Sequence, residues 1–462
     1  MLWLCVFLPR LSLEALAAPA PARLAVFERK GRQRRLIALG DQAGASLHPG
    51  MAVNAALAIH PQLTLVERDP RREKQTLQSL AGWAEQFASE LCIDPERQLL
   101  WLEIGGSLNY FGGLDALLQS FAQGLQSLGH HAQTGVAPTL EAAAWVALAG
   151  DAPILEPQQL PARLGHHPLQ ALPFPAAAEA LADSGVQRLD ALLRLPADGL
   201  ARRFGAGLPD YLQRLLGRLP DARPRYRPPR SYRRRMEFLG AIESTEGLLF
   251  SIRRVLIEFQ GHLRARDSGV QQFLFEFEHE GREATPMDVR LTAASRDAAH
   301  FLVIVRERLE RLPLPAPVTG LRLRAERYQQ PDLHQGDLFD QRLQQDSEWL
   351  GLLEKLQARL GPEAIRFLGL RAEHLPERSW HAGQQPAAAP DSRFPPRPFW
   401  LLARPQPLRE IPPLQGRPER IAGGWWDGAD AQRDYYLAEA VNGARLWVYR
   451  EENRWFMHGL WA

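Results

Sequence analysis

The sequence predicts an α+β chain of several domains, and three observations carry that reading. Its 462 residues exceed the roughly 150 expected of one domain. Two stretches, 1–150 and 236–328, alternate short β-prone runs with segments that are apolar at helical spacing. Around them lie a mostly helical stretch at 151–221, a basic linker at 222–235, a polar segment and helix at 329–375, a proline-rich linker at 376–418 and an aromatic, β-prone tail at 419–462.

Within 1–150, Leu2–Leu8 reads as a buried strand, and Arg23–Glu28 with Arg34–Leu39 as a hairpin around Lys30-Gly31-Arg32. Met51–Ile59 is Ala-rich and helical, stopped by Pro61. Leu77, Leu80, Trp83, Ala84 and Phe87 give Gln75–Glu90 a helical stripe. Leu99–Ile104 is a strand, Leu114–Leu128 a helix, Thr134–Ala137 a strand and Thr139–Leu148 a helix. Small helices follow at Ala176–Ser184, Leu189–Leu195 and Asp210–Gly217. In 222–235 the prolines predict irregular backbone, studded with Arg223, Arg225, Arg227, Arg230, Arg233, Arg234 and Arg235.

The next module has helices at Glu246–His262 and Asp297–Leu309. Its strands fall at Gln271–His279, Val289–Leu291 and Val318–Ala325. Gln341–Leu360 is a helix ended by Gly361-Pro362. In the tail, Asn442-Gly443 between Tyr435–Val441 and Ala444–Arg450 marks a hairpin, with a third strand at Arg454–Leu460.

Composition bounds the function. A net charge of +2 gives no global field toward nucleic acid or membrane. Lys30, Lys74 and Lys355 are the only lysines, and the arginine bias fits a GC-rich genome, so arginine richness by itself is no evidence of function. Cys5 and Cys92 cannot build a disulfide framework, which with the absence of a signal peptide or an apolar run of about 18 residues points to the cytoplasm. No Walker loop or nucleophile elbow occurs, and no cofactor is expected. His130-His131 and His166-His167 are adjacent pairs. Neighbouring side chains in a strand point apart, so neither pair is expected to share a metal, and no metal site is expected.

One peptide stands out. Gln335-Gly336-Asp337-Leu338-Phe339 lies in polar sequence, where an extended backbone can dock Leu and Phe in an apolar pocket while the Gln amide bonds its rim. A second match, Gln271 to Phe275, lies in an alternating strand whose Phe273, Phe275 and Phe277 share one face, and reads as core.

In this order the pieces resemble a Y-family translesion DNA polymerase: palm and fingers, helical thumb, basic linker, little finger, clamp peptide. Pro49-Gly50-Met51-Ala52 resembles the fingers segment. Leu102-Glu103-Ile104 leading to Tyr110-Phe111-Gly112-Gly113 resembles the palm strand after the catalytic acidic pair, and Gly135-Val136-Ala137-Pro138-Thr139 the strand and helix that follow. The departures matter as much. The resemblance would put metal-binding acids at Cys5, Phe7, Gln98 and Leu99, none of which offers the hard carboxylate oxygens that magnesium needs. The thumb turn, Leu172-Pro173-Phe174-Pro175, lacks the family's glycines.

The aromatic tail, with Trp425, Trp426, Tyr435, Tyr436, Trp447 and Trp455, makes the chain resemble the ImuB-like branch of the family. These are inactive UmuC/DinB-type homologues of the bacterial SOS mutasome. That resemblance implies a noncatalytic scaffold for error-prone translesion synthesis. It would bind primer–template DNA through the linker arginines and the β sliding clamp through Gln335, Asp337, Leu338 and Phe339. Its tail would recruit an ImuA-like RecA-related protein and a DnaE-type polymerase subunit. Two alternatives stay open: an active, divergent Y-family polymerase using Glu14, Asp94 or Glu103, and tail aromatics that simply fill a small β core.

Overall fold

The computed structural model describes residues 1–16, 23–44, 46–330, 341–361, 364–370, 373, 375–383, 397–423 and 431–461. They form two compact units, 1–355 and 356–462. The expected α+β multidomain architecture is observed.

The first unit opens with strand β1 (Trp3–Phe7), helix α1 (Leu11–Glu14), the hairpin β2 (Leu24–Lys30) and β3 (Gln33–Leu39), and helix α2 (Val53–Ile59). Strand β4 (Thr64–Glu67) pairs parallel to β2. Helix α3 (Pro70–Ala84) starts five residues before the apolar stripe. The reason is local: the Asp69 side chain accepts from the Arg71 and Arg72 N–H groups, and Pro70 occupies the first helical position. Then come β5 (Leu91–Asp94), β6 (Leu99–Glu103), α4 (Leu108–Phe111), α5 (Leu114–Ser127), β7 (Gln133–Ala137) and α6 (Leu140–Ala149). Strands β4 and β5 are four residues each, too short to show a period.

The central sheet has the order β5-β6-β1-β7 and is antiparallel throughout. Alternation along β1 sends Leu4 and Val6 to one face, where α3 and α5 supply Leu77, Leu80, Trp83, Leu117 and Phe121. Trp3 and Cys5 face the other side with Trp101. That face is covered by α6 and by five short helices: α7 (Leu160–Leu164), α8 (Pro175–Asp183), α9 (Leu189–Leu193), α10 (Ala197–Phe204) and α11 (Gly207–Leu215). Both faces of the sheet are therefore buried.

The second α+β module comprises β8 (Tyr232–Ile242), α12 (Thr245–Arg264), β9 (Val270–His279), β10 (Arg282–Ser295), α13 (Ala298–Leu309) and β11 (Val318–Ala325), with sheet order β10-β9-β11-β8. Strand β8 corrects the expected linker 222–235: its last four residues, Tyr232 to Arg235, already pair with β11. Phe273, Phe275 and Phe277 are fully buried, as the alternating pattern predicted. Helix α14 (Gln341–Leu360) follows.

The second unit holds the small hairpin β12 (Phe367–Leu370) and β13 (Trp380–Gly383), then β14 (Trp400–Pro407), β15 (Leu414–Gly423), β16 (Ala431–Glu439), β17 (Arg445–Glu451) and β18 (Arg454–Leu460). The last five form one sheet, ordered β14-β18-β17-β16-β15. The expected linker 376–418 is thus corrected, because β13, β14 and the first half of β15 lie within it. Among the described residues no helix is long and apolar enough to cross a membrane.

Candidate functional site

The positions predicted to have lost metal ligands come together at one corner of the central sheet. Phe7 pairs with Leu99, and Cys5 with Trp101 on one side and Gly135 on the other. Gln98 sits in the β5–β6 turn at φ 57° and accepts from the Leu8 N–H through its carbonyl (3.2 Å). Burial pushes the Cys5 thiol well up, so it stays protonated. Two carboxylates considered for catalysis, Asp94 and Glu103, are committed elsewhere. Asp94 accepts from the Arg97 N–H (3.1 Å). Glu103 accepts from the Leu2 and Gly105 N–H groups, both at 3.1 Å.

Glu141, on α6, is buried and takes bonds from Arg97 (3.1 and 3.2 Å) and from Arg223. Burial raises its pKa, but the two guanidinium groups outweigh burial and hold it below the usual carboxylate value. Both arginines lie over Trp101, with Cζ 5.8 and 4.4 Å from the ring centroid. A magnesium ion does not fit here. The side chains are a neutral thiol, two hydrocarbons, an amide and a carboxylate already neutralised by two cations, where the ion needs free oxygens.

The seven linker arginines divide into three groups. Arg223 is drawn onto Trp101 and Glu141, and also meets Asp221 at 3.0 Å. Arg234 points into the core of its module, because alternation along β8 turns it inward with Tyr232 and Met236. There it meets buried Glu258 at 3.0 Å. Arg234 is thus buried, a correction to its expected place on the DNA-facing surface, and Arg223 is half-buried and spent on carboxylates. Arg225, Arg233 and Arg235 are exposed but paired, with Glu90, Glu326 and Glu278, each at 2.8 Å. Arg227 and Arg230 are exposed with no carboxylate partner among the described residues.

The segment carrying them does not hang in solvent. Tyr226 N–H bonds the Leu91 carbonyl (2.7 Å), and Arg266 reaches the Pro229 carbonyl (3.3 Å). Beside it opens a cavity of about 800 Å³, lined by Arg71, Arg72, Arg227, Arg233, Arg235 and Arg254 among others. Arg71 of α3 was not anticipated; its only signal is the first turn of a helix that begins before its apolar stripe.

Adjacent histidines, expected to point apart, do not. They lie in turns rather than strands. His130 and His131 both direct Nδ1 at Glu14, at 2.9 and 3.0 Å. Arg254 donates to His130 Nε2 (2.8 Å), which puts the His130 proton on Nδ1. Glu14, one of the carboxylates considered for catalysis, is thus already paired. His166 and His167 both approach Asp151, with ligand atoms of all three within 4.8 Å of one another.

In the tail, Tyr435 and Trp447 stack at 4.1 Å inside the sheet's core, so the core reading holds for these two and they are not free for a partner. Tyr436 and Trp455 pack together half-buried at 5.4 Å. Exposed Phe399 and Trp400 were not anticipated, their proline-rich surroundings having read as linker. Trp425 and Trp426 lie outside the described residues, as do Gln335, Asp337, Leu338 and Phe339.

No family model matches the chain. It is similar to Protein ImuB of Caulobacter vibrioides, in strains NA1000 / CB15N and ATCC 19089 / CB 15. Identity is 29% over 457 residues, covering 90% of this chain and 100% of the relative. Among solved structures it is similar to DinB from Sulfolobus solfataricus, with 15% identity and a TM-score of 0.38, over 71% of this chain and 98% of that one. A further likeness is to an insertion ternary complex of Dbh DNA polymerase, with 14% identity and a TM-score of 0.40, over 70% and 98%.

Proposed function

We propose, from the premise that this chain is an ImuB-like Y-family homologue, that it is a noncatalytic scaffold in translesion DNA synthesis. The observation that carries the reading is the corner at Cys5. Phosphoryl transfer of this kind depends on metal ions held by carboxylates against the attacking and leaving oxygens. In their place are Cys5, Phe7, Leu99 and Trp101 under the Arg97–Glu141–Arg223 network. An arginine pair that neutralises the remaining acid removes the charge a cation would need.

The scaffold's other contacts follow from chemistry. Arg227 and Arg230 would meet the phosphates of primer–template DNA, each displacing a counterion. Gln335, Asp337, Leu338 and Phe339 would engage the β sliding clamp as an extended peptide. Tyr436 and Trp455, a half-buried pair, would with Trp425 and Trp426 meet an ImuA-like RecA-related protein and a DnaE-type polymerase, since Trp and Tyr are the residues that anchor interfaces. This is work for the cytoplasm, in an SOS response to DNA damage.

Two measurements on the purified full chain test the reading. Primer extension with Mg²⁺ should give no template-directed incorporation. Incorporation that disappears on Glu141→Gln or Asp94→Asn would overturn the noncatalytic role and favour an active, divergent polymerase. Binding to the sliding clamp should be lost when Leu338 and Phe339 are both changed to Ala; unchanged binding would remove the clamp from the reading.

A further inference from the structure

We propose that Asp151, His166 and His167 form a binding site for a divalent cation of the Zn²⁺ class. The three residues come from two segments, each fixed by backbone hydrogen bonds. Asp151 follows α6, whose end is closed by Gly150 at φ 72°; the Gly150 and Asp151 N–H groups both bond the Val146 carbonyl, at 3.0 and 3.1 Å. His166 and His167 lie in the turn after α7. There His167 N–H bonds Leu164 (3.0 Å), Leu189 N–H bonds the His167 carbonyl (3.0 Å) and Asp190 N–H bonds Gly165 (2.9 Å). The turn needs a glycine at 165, since a Cβ there would lie 2.8 Å from the Pro161 carbonyl oxygen.

The side chains are equally constrained. The His167 ring is buried, edge-on to Trp145 at 5.8 Å. Among the described residues its Nε2 has no aligned hydrogen-bond partner, although Asp151 Oδ2 is only 2.8 Å away. A buried ring nitrogen left unsatisfied beside a carboxylate with which it is not aligned calls for an explanation. His166 Nε2 lies 3.9 Å from the same oxygen, and the two imidazole rings are 4.3 Å apart. Two ligands bound at about 2.0–2.1 Å to one tetrahedral ion sit roughly 3.4 Å apart, so the observed spacings bracket what such an ion requires.

The donor set selects the metal. Two imidazole nitrogens and one carboxylate oxygen suit Zn²⁺, Co²⁺ or Ni²⁺, and do not suit Mg²⁺ or Ca²⁺, which prefer oxygens throughout. His166 is 60% exposed, so the fourth position opens to solvent and takes water. Such an ion would tie the end of α6 to the turn after α7. Because a ligand that binds the folded chain stabilises it, metal should raise the melting temperature.

The test uses tag-free full-length protein, titrated with Co²⁺ and followed by visible absorption. One equivalent should produce the d–d bands of a four-coordinate ion, and Zn²⁺ should abolish them. His166→Ala and Asp151→Asn should each weaken binding on the order of tenfold or more while leaving the far-UV CD unchanged. His131→Ala, at an equally exposed histidine outside the cluster, should bind like the parent. The absence of a saturable signal at one equivalent would overturn the site, and so would a signal that survives in both ligand variants.

Discussion

At the scale of single residues, two buried carboxylates of the first unit, Glu14 and Glu141, share one direction. Burial raises Glu14 and Glu141, but hydrogen bonds from His130 and charge from Arg97 and Arg223 outweigh it, holding both below the ordinary 4.5. Their contribution is present above that value and is lost as pH falls through the folded pKa. Burial, aided by Arg266, pushes His262 down to about 3, and burial lowers His130. Below the ordinary 6.5 the unfolded chain takes up these protons and the folded chain does not, so the loss begins there. His300 runs the other way, raised by its bond to Glu354, and adds stability at low pH. The summed expectation is a urea midpoint that falls steadily from pH 6.5 to pH 4. His262→Phe should flatten the upper part of that fall; an unchanged pH slope in the variant would contradict it. These partners were hidden in the sequence, because contacts such as Glu14 with His130 span 116 residues. Cys5 and Phe7, by contrast, were singled out by the family resemblance, and period-2 alternation along β1 puts both on one face.

At the scale of elements, close approach is set by glycines whose role no periodicity reveals. Strand β7 lies so near α6 that a Cβ on Gly135 would meet the Ala147 nitrogen at 2.1 Å and the Ala143 oxygen at 2.5 Å. Both are backbone atoms in a buried layer and cannot rotate away. Gly135→Ala should therefore destabilise the first unit by about 3 kcal/mol, read as a lower urea midpoint with an unchanged slope. A variant within 0.5 kcal/mol of the parent would mean that α6 shifts freely.

Element existence was mostly legible, down to the ends of Val318–Ala325 and Arg454–Leu460. The misses have a physical cause. Pro405 and Pro407 lie in β14 and Pro418 in β15, and proline argues against a strand. Yet these two are the edges of their sheet, where a missing N–H costs least. Likewise the prolines at 224, 228 and 229 masked the start of β8 three residues later.

At the scale of the whole molecule, net charge said little and placement says more. The outward face of the β8–β11 sheet carries Arg233, Arg235, Arg290, Arg322 and Arg324, but Glu326, Glu278, Asp288 and Glu276 lie in ion-pair reach of them. Exposed pairs of this kind contribute little to stability, and they also blunt attraction for phosphate. Arg227 and Arg230 have no such partner among the described residues, and their segment is pinned to β5 and to Arg266 at 2.7 and 3.3 Å. A fixed, unpaired cation binds a phosphate without first losing a carboxylate or ordering a loop. DNA affinity should therefore respond unequally to two double variants. Arg227→Ala with Arg230→Ala should weaken binding to a primer–template duplex and reduce the slope of log affinity against log salt by about 2, roughly one phosphate contact each. Arg233→Ala with Arg235→Ala should change that slope less, because each arginine lost also frees a carboxylate. Fluorescence anisotropy across a salt series decides between them. Equal slope changes in the two variants would mean that the acidic neighbours do not mask the β8 arginines and that DNA meets the sheet face directly.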